Sequence, residues 1–318
     1  MVDLFSHNIS NSNAINNIYN IIYDYASLIS GVLSIIGCSL NLFLLYILIR
    51  DKQFHGISYK LIRISVISDI LSSFTIGTGC LLISYEFTYD GGVIGCRVVL
   101  FFTLASHGVS MLNLCLIAID RYFAIVKPLY RRYHRRRKQI FYLSQIFVWT
   151  ISASYTGAVV PAIKVSHEDP TLCDLPDIAA DDTIPIRLII IVTVQYVIPC
   201  TGIAIIYFKI ISHQRNYVRP GQSTFRKNEN NIRKQKFINM LISITLCYIL
   251  ITWPFNATLF GLSFTRKTTT KIRKENLSLF LLTFYSLSVS VSVAIINPIV
   301  YLKFDGNIRQ KVLKIFRH

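Results

Sequence analysis

The sequence predicts an all-α membrane protein, built as a seven-transmembrane helix bundle with a short amphipathic C-terminal helix. Hydrophobic residues make up 53% of the 318 residues and charged residues only 15%, whereas soluble proteins carry about 25% charged residues. Seven apolar runs are each long enough to cross a bilayer, which takes about 20 residues. Lys and Arg gather in alternate connections between these runs, as they do in multi-pass membrane proteins.

The chain divides into a tail, the bundle and a C-terminal segment. Residues 1–25 are rich in Asn and predict an N-terminal extracellular tail, and residues 26–302 hold the bundle. Residues 303–318 predict an amphipathic helix and a short cytoplasmic tail, because apolar residues recur at four-residue steps over 304–316 with basic residues between them. The seven predicted transmembrane helices are 26–49, 60–84, 93–120, 139–162, 186–211, 236–261 and 277–302.

The basic residues predict the orientation. Residues 1–25 contain no Lys or Arg, whereas 25 of the 33 basic residues lie in 50–63, 121–138, 209–236 and 303–317. We therefore expect a multi-pass protein of the plasma membrane, with its N-terminus extracellular and its C-terminus cytoplasmic. The net charge of +17 sits in short loops rather than on a soluble face, which disfavours nucleic acid and favours an anionic inner leaflet as the partner.

The third run ends in a charged motif. Residues 117–130 read IAIDRYFAIVKPLY, and Arg121 is a functional candidate because charge at membrane depth is costly, although an arginine at a helix end also reaches the interface with its long stem. Cys96 lies 25 residues before Arg121, or roughly 37 Å along a helix, and therefore at the outer end. Cys173 lies in an acidic outer loop, where a disulfide persists. A bond between the two cysteines would pin that loop over the bundle.

The remaining runs carry further motif residues, namely Asn41, Asp69, Trp149, Pro199 with Tyr207, Trp253-Pro254, and Asn297-Pro298-x-x-Tyr301. Together with Asp120-Arg121-Tyr122, this set resembles the rhodopsin-like (class A) G-protein-coupled receptors. The resemblance covers all seven runs. The combination of Asp-Arg-Tyr with Asn-Pro-x-x-Tyr is its most specific part, since either motif alone arises by chance.

The resemblance implies an activation mechanism. Arg121 is expected to pair with Asp120 at rest and to release when the sixth helix moves outward, so that it meets the C-terminal helix of a G-protein α-subunit. Pro199, Pro254 and Pro298 are expected to kink their helices, because proline removes a backbone donor. The residues implied in coupling and activation are Asp120, Arg121, Tyr122, Pro128, Leu129, Tyr207, Lys234, Asn297, Pro298 and Tyr301.

Asp69 is the only acid expected deep in the bundle. The resemblance implies that Asn41, Ser110 and Asn297 surround it in a polar network. Two interpretations stay open, a sodium ion near Asp69 or a protonated carboxyl held by amide side chains. No other metal and no cofactor is expected.

Several positions depart from the family pattern, among them Val293 and Ala294, which stand where the family usually has residues that help a sodium site. Trp253 directly precedes Pro254, whereas the family usually places this Trp two residues before the proline, where Thr252 stands. Lys234 occupies a position where many members carry an acid that holds the arginine of Asp-Arg-Tyr. Because like charges repel, we hypothesise raised ligand-free signalling.

The ligand class is constrained by exclusion. Thr103 stands where amine receptors carry an Asp, and Val291 stands where opsins carry the Schiff-base Lys, so amines and retinal are disfavoured. An acidic second outer loop and a basic third one favour a peptide ligand, with a small chemosensory molecule as the second choice. The pocket candidates, each with interhelical packing as the alternative interpretation, are Thr103, His107, Gln195, Trp253, Asn256 and Tyr285.

A transporter or channel with seven spans is the alternative class. Such proteins tend to show internal repeats or ionisable side chains along a midplane pathway. This chain has no obvious internal repeat, and Asp69 is the one acid expected at that depth. No catalytic residues are expected, so an enzyme is disfavoured. Asn8 begins an Asn-x-Ser sequence in the tail and is the expected glycosylation site.

Overall fold

The structure is a computed structural model that describes residues 2–83, 89–165, 173–174, 182–216, 224–288 and 293–316. Its helices are α1 (Val2–Arg50), α2 (Ile57–Ile83), α3 (Tyr89–Ile125), α4 (Arg131–Val159), α5 (Thr183–Val192), α6 (Ile198–Asn216), α7 (Thr224–Thr265), α8 (Thr269–Glu275), α9 (Leu277–Ser288), α10 (Val293–Phe304) and α11 (Gly306–Phe316). Short 3-10 turns cover Lys52–Phe54 and Val160–Ala162, a π-turn covers Thr193–Val197, and strands β1 (Lys164–Val165) and β2 (Cys173–Asp174) form a hairpin.

The predicted helix bundle is confirmed. Within the described ranges, six helical segments are long and apolar enough to cross a membrane: Leu28–Arg50, Ile57–Gly79, Asp90–Ile125, Arg135–Ala162, Thr183–Gln214 and Leu241–Thr265. The fifth of these combines α5, the π-turn and α6. The seventh predicted helix corresponds to α9 and α10. Residues 289–292, between these two helices, lie outside the residues that the structure describes. The chain is a multi-pass membrane protein.

Several helices continue beyond their apolar runs. Helix α7 begins at Thr224, well before the expected start at 236. Helix α1 begins at Val2, so the segment predicted as a tail is helical from there on, although the apolar span itself begins at Leu28. Hydropathy marks only the part of a helix that crosses lipid, while backbone hydrogen bonding continues in the interface.

Serines join α2 to α3 inside the bundle. Ser68 is fully buried, and its hydroxyl donates to the carbonyl of Ser106 at 2.7 Å. Ser110 Oγ lies 3.1 Å from Ser68 Oγ. Large apolar side chains such as Phe208 and Leu250 instead lie on the outer surface. This arrangement is expected where lipid is the solvent, because small and polar residues then mediate helix contacts.

One end of the bundle carries the predicted disulfide, and we call it the disulfide end. Cys96 in α3 is bonded to Cys173 in β2, which confirms the predicted pair. Cys173 also pairs with Val165 in the β1–β2 hairpin. Arg97 donates to the carbonyls of Pro161 at 2.9 Å and of Ile163 at 3.3 Å. The connection after α4 is thus tied to α3 by a covalent bond and by backbone hydrogen bonds.

The C-terminal helix α11 is held at the opposite end, which we call the Asp-Arg-Tyr end. Asp305 caps it, because its carboxylate accepts from the backbone N–H groups of Asn307 at 2.9 Å and Ile308 at 3.2 Å. Lys311 Nζ lies 2.9 Å from Asp51 Oδ2, and this hydrogen bond lowers the pKa of Asp51. The predicted short C-terminal helix is therefore confirmed.

Candidate functional site

Asp69 lies at the centre of a buried polar network. Its Oδ1 accepts from Ser110 Oγ at 3.0 Å and its Oδ2 accepts from Asn297 Nδ2 at 2.9 Å. Asn41 does not donate to this carboxylate, since its amide donates to the carbonyls of Ala294 at 2.6 Å and Gly37 at 2.8 Å. Of the expected network, Ser110 and Asn297 therefore meet at Asp69, while Asn41 joins α1 to α10.

A small cavity of about 30 Å³ opens from this network between α2, α3, α7 and α10. Its lining includes Asp69 and Ser110 together with Thr103, His107 and Phe255. Thr103, His107 and Ser110 recur at steps of four and three residues in α3, so their side chains share one face of that helix. Two of the predicted pocket residues, Thr103 and His107, thus line the same cavity.

Gln195 supports His107 from the π-turn before α6. Its side chain is fully buried, and its Nε2 donates to His107 Nδ1 at 2.7 Å and to the carbonyl of Leu104 at 3.2 Å. With the amide in this orientation, Nδ1 accepts and the neutral ring carries its proton on Nε2. His107 Nε2 has no hydrogen-bond partner within the described parts of the chain. It is available to a ligand or to water in the cavity.

The π-turn has a physical cause. Pro199 has no N–H group, so an ordinary helix would leave the carbonyl of Gln195 without its usual donor, and the proline ring would crowd that carbonyl. The wider turn over Thr193–Val197 directly precedes this position. Turns of this kind often mark functional sites because they rotate a side chain out of the regular helical register. Here the rotated side chain is Gln195.

The structure corrects the expectation that Trp253 lines the pocket. Its side chain is 59% exposed and lies on the outer surface of α7, whereas Thr252 is fully buried. Successive residues of a helix point about 100° apart, so the one-residue shift of this Trp turns it from the interior towards lipid. Asn256 is buried but donates to the carbonyl of Thr252 in its own helix at 2.8 Å. Tyr285 is 52% exposed on α9.

At the Asp-Arg-Tyr end, Asp120 is buried and accepts from several donors. Arg121 Nη2 lies 3.4 Å from Asp120 Oδ2, so the expected pair is present. Ser58 Oγ donates to the same oxygen at 2.9 Å. Arg137 donates from Nε and Nη2 to Oδ1 at 2.8 and 2.6 Å and from Nη2 to Oδ2 at 2.7 Å. Tyr133 Oη donates to Oδ1 at 3.0 Å.

The sequence interpretation missed Arg137 and Tyr133. Both lie in the basic segment 131–138, which by composition alone resembles a lipid-facing anchor. Their four-residue spacing places them on one face of α4, and that spacing was the available signal. Burial and the Asp120 carboxylate raise the pKa of Tyr133 to about 12, so its hydroxyl remains a proton donor.

The other activation residues surround this cluster. Tyr207 and Tyr301 are buried in the adjoining apolar core, and Tyr207 Oη lies 3.4 Å from Thr245 Oγ1. Leu129 follows Pro128 in the connection to α4 and is 93% exposed, so a large apolar side chain is presented at this end. The side chains of Asn8 and Lys234 lie outside the described residues.

An all-α bundle with a buried central acid, a disulfide across one end and Asp-Arg-Tyr at the other defines a seven-transmembrane receptor. The family model "7 transmembrane receptor (rhodopsin family)" matches residues 40–301. The chain belongs to this family, and the resemblance to rhodopsin-like (class A) G-protein-coupled receptors is confirmed. A crystal structure of squid rhodopsin has the same fold, with a TM-score of 0.75 at 19% identity, covering 93% of this chain and 86% of that one.

Curated relatives include three receptors named for peptides. The Tachykinin-like peptides receptor 99D of Drosophila melanogaster is 23% identical over 92% of this chain and 56% of its own length. The Substance-P receptor of Aquarana catesbeiana is 23% identical over 90% of this chain and 68% of its own length. The Neuropeptide Y receptor type 2 of Cavia porcellus is 24% identical over 93% of this chain and 76% of its own length. The chain thus spans little more than half of the fly receptor.

Proposed function

We propose that this protein is a plasma-membrane receptor that binds an extracellular peptide and activates a heterotrimeric G protein. The observation that carries the proposal is the ion pair of Arg121 with Asp120 at 3.4 Å, at the same end of the bundle as the exposed Leu129. A guanidinium whose ion pair with Asp120 is as long as 3.4 Å is suited to change partners when another protein docks. A transporter does not require this arrangement.

The cavity supports a route from ligand to G protein. A ligand group that enters from the disulfide end would meet His107 Nε2 as a donor, with Phe255 of α7 on the same cavity wall. Pro254 lies next to Phe255 inside α7, and a proline inside a helix leaves a flexible point. A displacement of Phe255 would therefore be accommodated at Pro254, and the Asp-Arg-Tyr end of α7 would swing outward and release Arg121.

The connections at the disulfide end support a peptide as the ligand. Arg266 Nη1 lies 2.6 Å from Asp182 Oδ1, with both side chains more than half exposed. Lys267 and Glu275 form a second ion pair across α8, and that hydrogen bond lowers the pKa of Glu275. A surface that offers both charges in exposed, exchangeable pairs suits a peptide with charges of both signs. The names of the three relatives point to the same ligand class.

The orientation follows the distribution of basic residues. Segment 131–138 at the start of α4 and the basic residues of α11 lie at the Asp-Arg-Tyr end, where an anionic inner leaflet would attract them. The disulfide lies at the other end, on the oxidising side. We therefore place the N-terminus outside the cell and the C-terminus in the cytoplasm. An epitope tag at the N-terminus that antibodies reach only after permeabilisation would reverse this assignment.

The test is nucleotide exchange on a promiscuous G-protein α-subunit expressed with the receptor, screened against a peptide library. We expect the wild type to stimulate exchange and Arg121→Ala to abolish it at equal surface expression. Arg187→Ala is a matched control, since Arg187 lies at the disulfide end, where its Nη1 donates to the carbonyl of Ala158 at 2.8 Å. Ionic current or solute uptake that persists in Arg121→Ala would instead establish the transporter or channel class. Activation by small molecules alone would overturn the peptide assignment.

A further inference from the structure

The Asp120 carboxylate receives two guanidinium groups, and they hold it unequally. All three Arg137 contacts with this carboxylate are 2.8 Å or shorter, whereas the Arg121 ion pair measures 3.4 Å. A carboxylate offers about four lone-pair directions. Three other side chains approach the carboxylate at 3.0 Å or less, namely Arg137, Tyr133 and Ser58. They therefore occupy those directions in preference to Arg121.

Helix α4 presents Arg137 in a fixed position. Tyr133 lies one turn earlier on the same face, and its ring stacks on Phe123 of α3 with centroids 4.2 Å apart and planes at 16°. Tyr133 also donates to Asp120. This stack anchors the start of α4 against the end of α3, so the backbone of α4 places Arg137 within reach of the carboxylate.

We propose that Arg137 is a positioning residue that competes with Arg121 for Asp120 and so weakens the resting hold on Arg121. The inference rests on the proposed function, in which release of Arg121 permits coupling. Arg137 acts in two ways. It takes the short hydrogen bonds of the carboxylate, and it adds a second positive charge beside the Arg121 guanidinium. Both effects lower the free energy needed to release Arg121, and the ligand-free receptor signals more as a result.

The first test does not depend on signalling. The double-mutant cycle of Asp120→Asn and Arg121→Gln is measured on the thermal unfolding midpoint of the purified, ligand-free receptor in detergent. The cycle is then repeated in the Arg137→Gln background. We expect the coupling between Asp120 and Arg121 to become larger when Arg137 is removed, because the carboxylate then has one guanidinium left. A coupling that stays equal or becomes smaller would overturn the competition.

The second test measures ligand-free nucleotide exchange on the promiscuous α-subunit. Arg137→Gln is expected to lower this basal exchange by about three- to tenfold, the factor that corresponds to the net contribution of one hydrogen bond. The basal exchange of Arg137→Lys should lie between that of the wild type and that of Arg137→Gln, because an ammonium group keeps the charge but loses the planar geometry of the guanidinium. In the Asp120→Asn background Arg137→Gln should have no further effect. Arg136→Gln is the matched control, an exposed neighbour in the same segment, and should leave basal exchange unchanged.

The outcomes separate the two proposals. Equal basal exchange for Arg137→Gln and Arg136→Gln, in a receptor that Arg121→Ala inactivates, would refute the role of Arg137 and leave the proposed function intact. Absence of exchange in every variant under any peptide would refute the proposed function. The unfolding cycle would still decide the competition in that case, because it requires no G protein.

Discussion

Gly108 is the residue at which the structure makes its sharpest stability prediction. It lies in α3 where α4 crosses, next to His107. A methyl group added there would overlap the hydroxyl oxygen of Tyr155 and would lie 2.9 Å from its Cζ and 3.0 Å from Ser152 Oγ. Ser152 is fully buried and Tyr155 is 8% exposed. The two neighbours therefore have little room to move, and Gly108→Ala requires α3 and α4 to separate.

The magnitude follows from two opposing terms. Overpacking of a tight interior by one methyl group costs about 1–3 kcal/mol. Replacing Gly by Ala inside a helix returns about 0.5–1 kcal/mol, because Ala loses less backbone entropy. The overlap involves a rigid aromatic side chain, so the cost lies in the upper half of its range. We expect Gly108→Ala to destabilise the bundle by about 1–2.5 kcal/mol.

The assay is thermal unfolding of the detergent-solubilised protein, with Gly157→Ala as the matched control. An added methyl group at Gly157 in α4 meets nothing within 4 Å, so that variant should unfold at the wild-type temperature or slightly above it. Adding Tyr155→Phe to Gly108→Ala should recover part of the loss, since the overlapping oxygen is removed while Cζ remains. Equal unfolding temperatures for the two Gly→Ala variants would refute the packing argument.

Three further predictions concern the ends and the centre of the bundle. Asp305→Ala removes the cap of α11 and should destabilise that helix by about 0.5–2 kcal/mol, seen as faster hydrogen exchange, while Asp305→Asn should lose less. The unfolding temperature should fall equally in Cys96→Ser, in Cys173→Ser and in the double variant, because each change opens the same disulfide-closed loop. Closing that loop stabilises the fold by up to about 4 kcal/mol. Additive losses in the double variant would contradict this. Asn297→Ala and Asp69→Asn should be non-additive in unfolding, since one hydrogen bond joins them; simple addition would refute that link.

Much of the site was predictable because its residues can be recognised from their type and their position along the chain. Asp120, Arg121 and Cys96 stand out as charged or reactive residues at the ends of an apolar run, and their depth follows from counting residues along a helix. The bond from Cys96 to Cys173 was predictable for the same reason. Asp69 was predictable because an isolated acid in a membrane helix needs hydrogen-bond partners, and Ser110 and Asn297 provide them.

The misses share one physical cause, because the position of a residue along a helix does not determine how that helix is rotated and packed against its neighbours. Trp253 was expected in the pocket from its depth, yet depth does not say which way a side chain points, and a one-residue shift turns it towards lipid. Arg137 was interpreted as a lipid anchor from its basic neighbours, because the crossing of α3 and α4 that brings it to Asp120 is invisible in the sequence.

The sequence by itself determined the number of apolar helices, the expected orientation, the motifs at each end and the receptor family that they define. Each of these depends on composition and spacing along a single helix, where lipid solubility and the helical repeat leave little choice. Only the tertiary structure decided which donors reach Asp120, that the π-turn brings Gln195 to His107, and that Thr252 rather than Trp253 faces inward. Those contacts join separate helices, and they depend on tilts and rotations that are determined by packing between side chains distant in sequence.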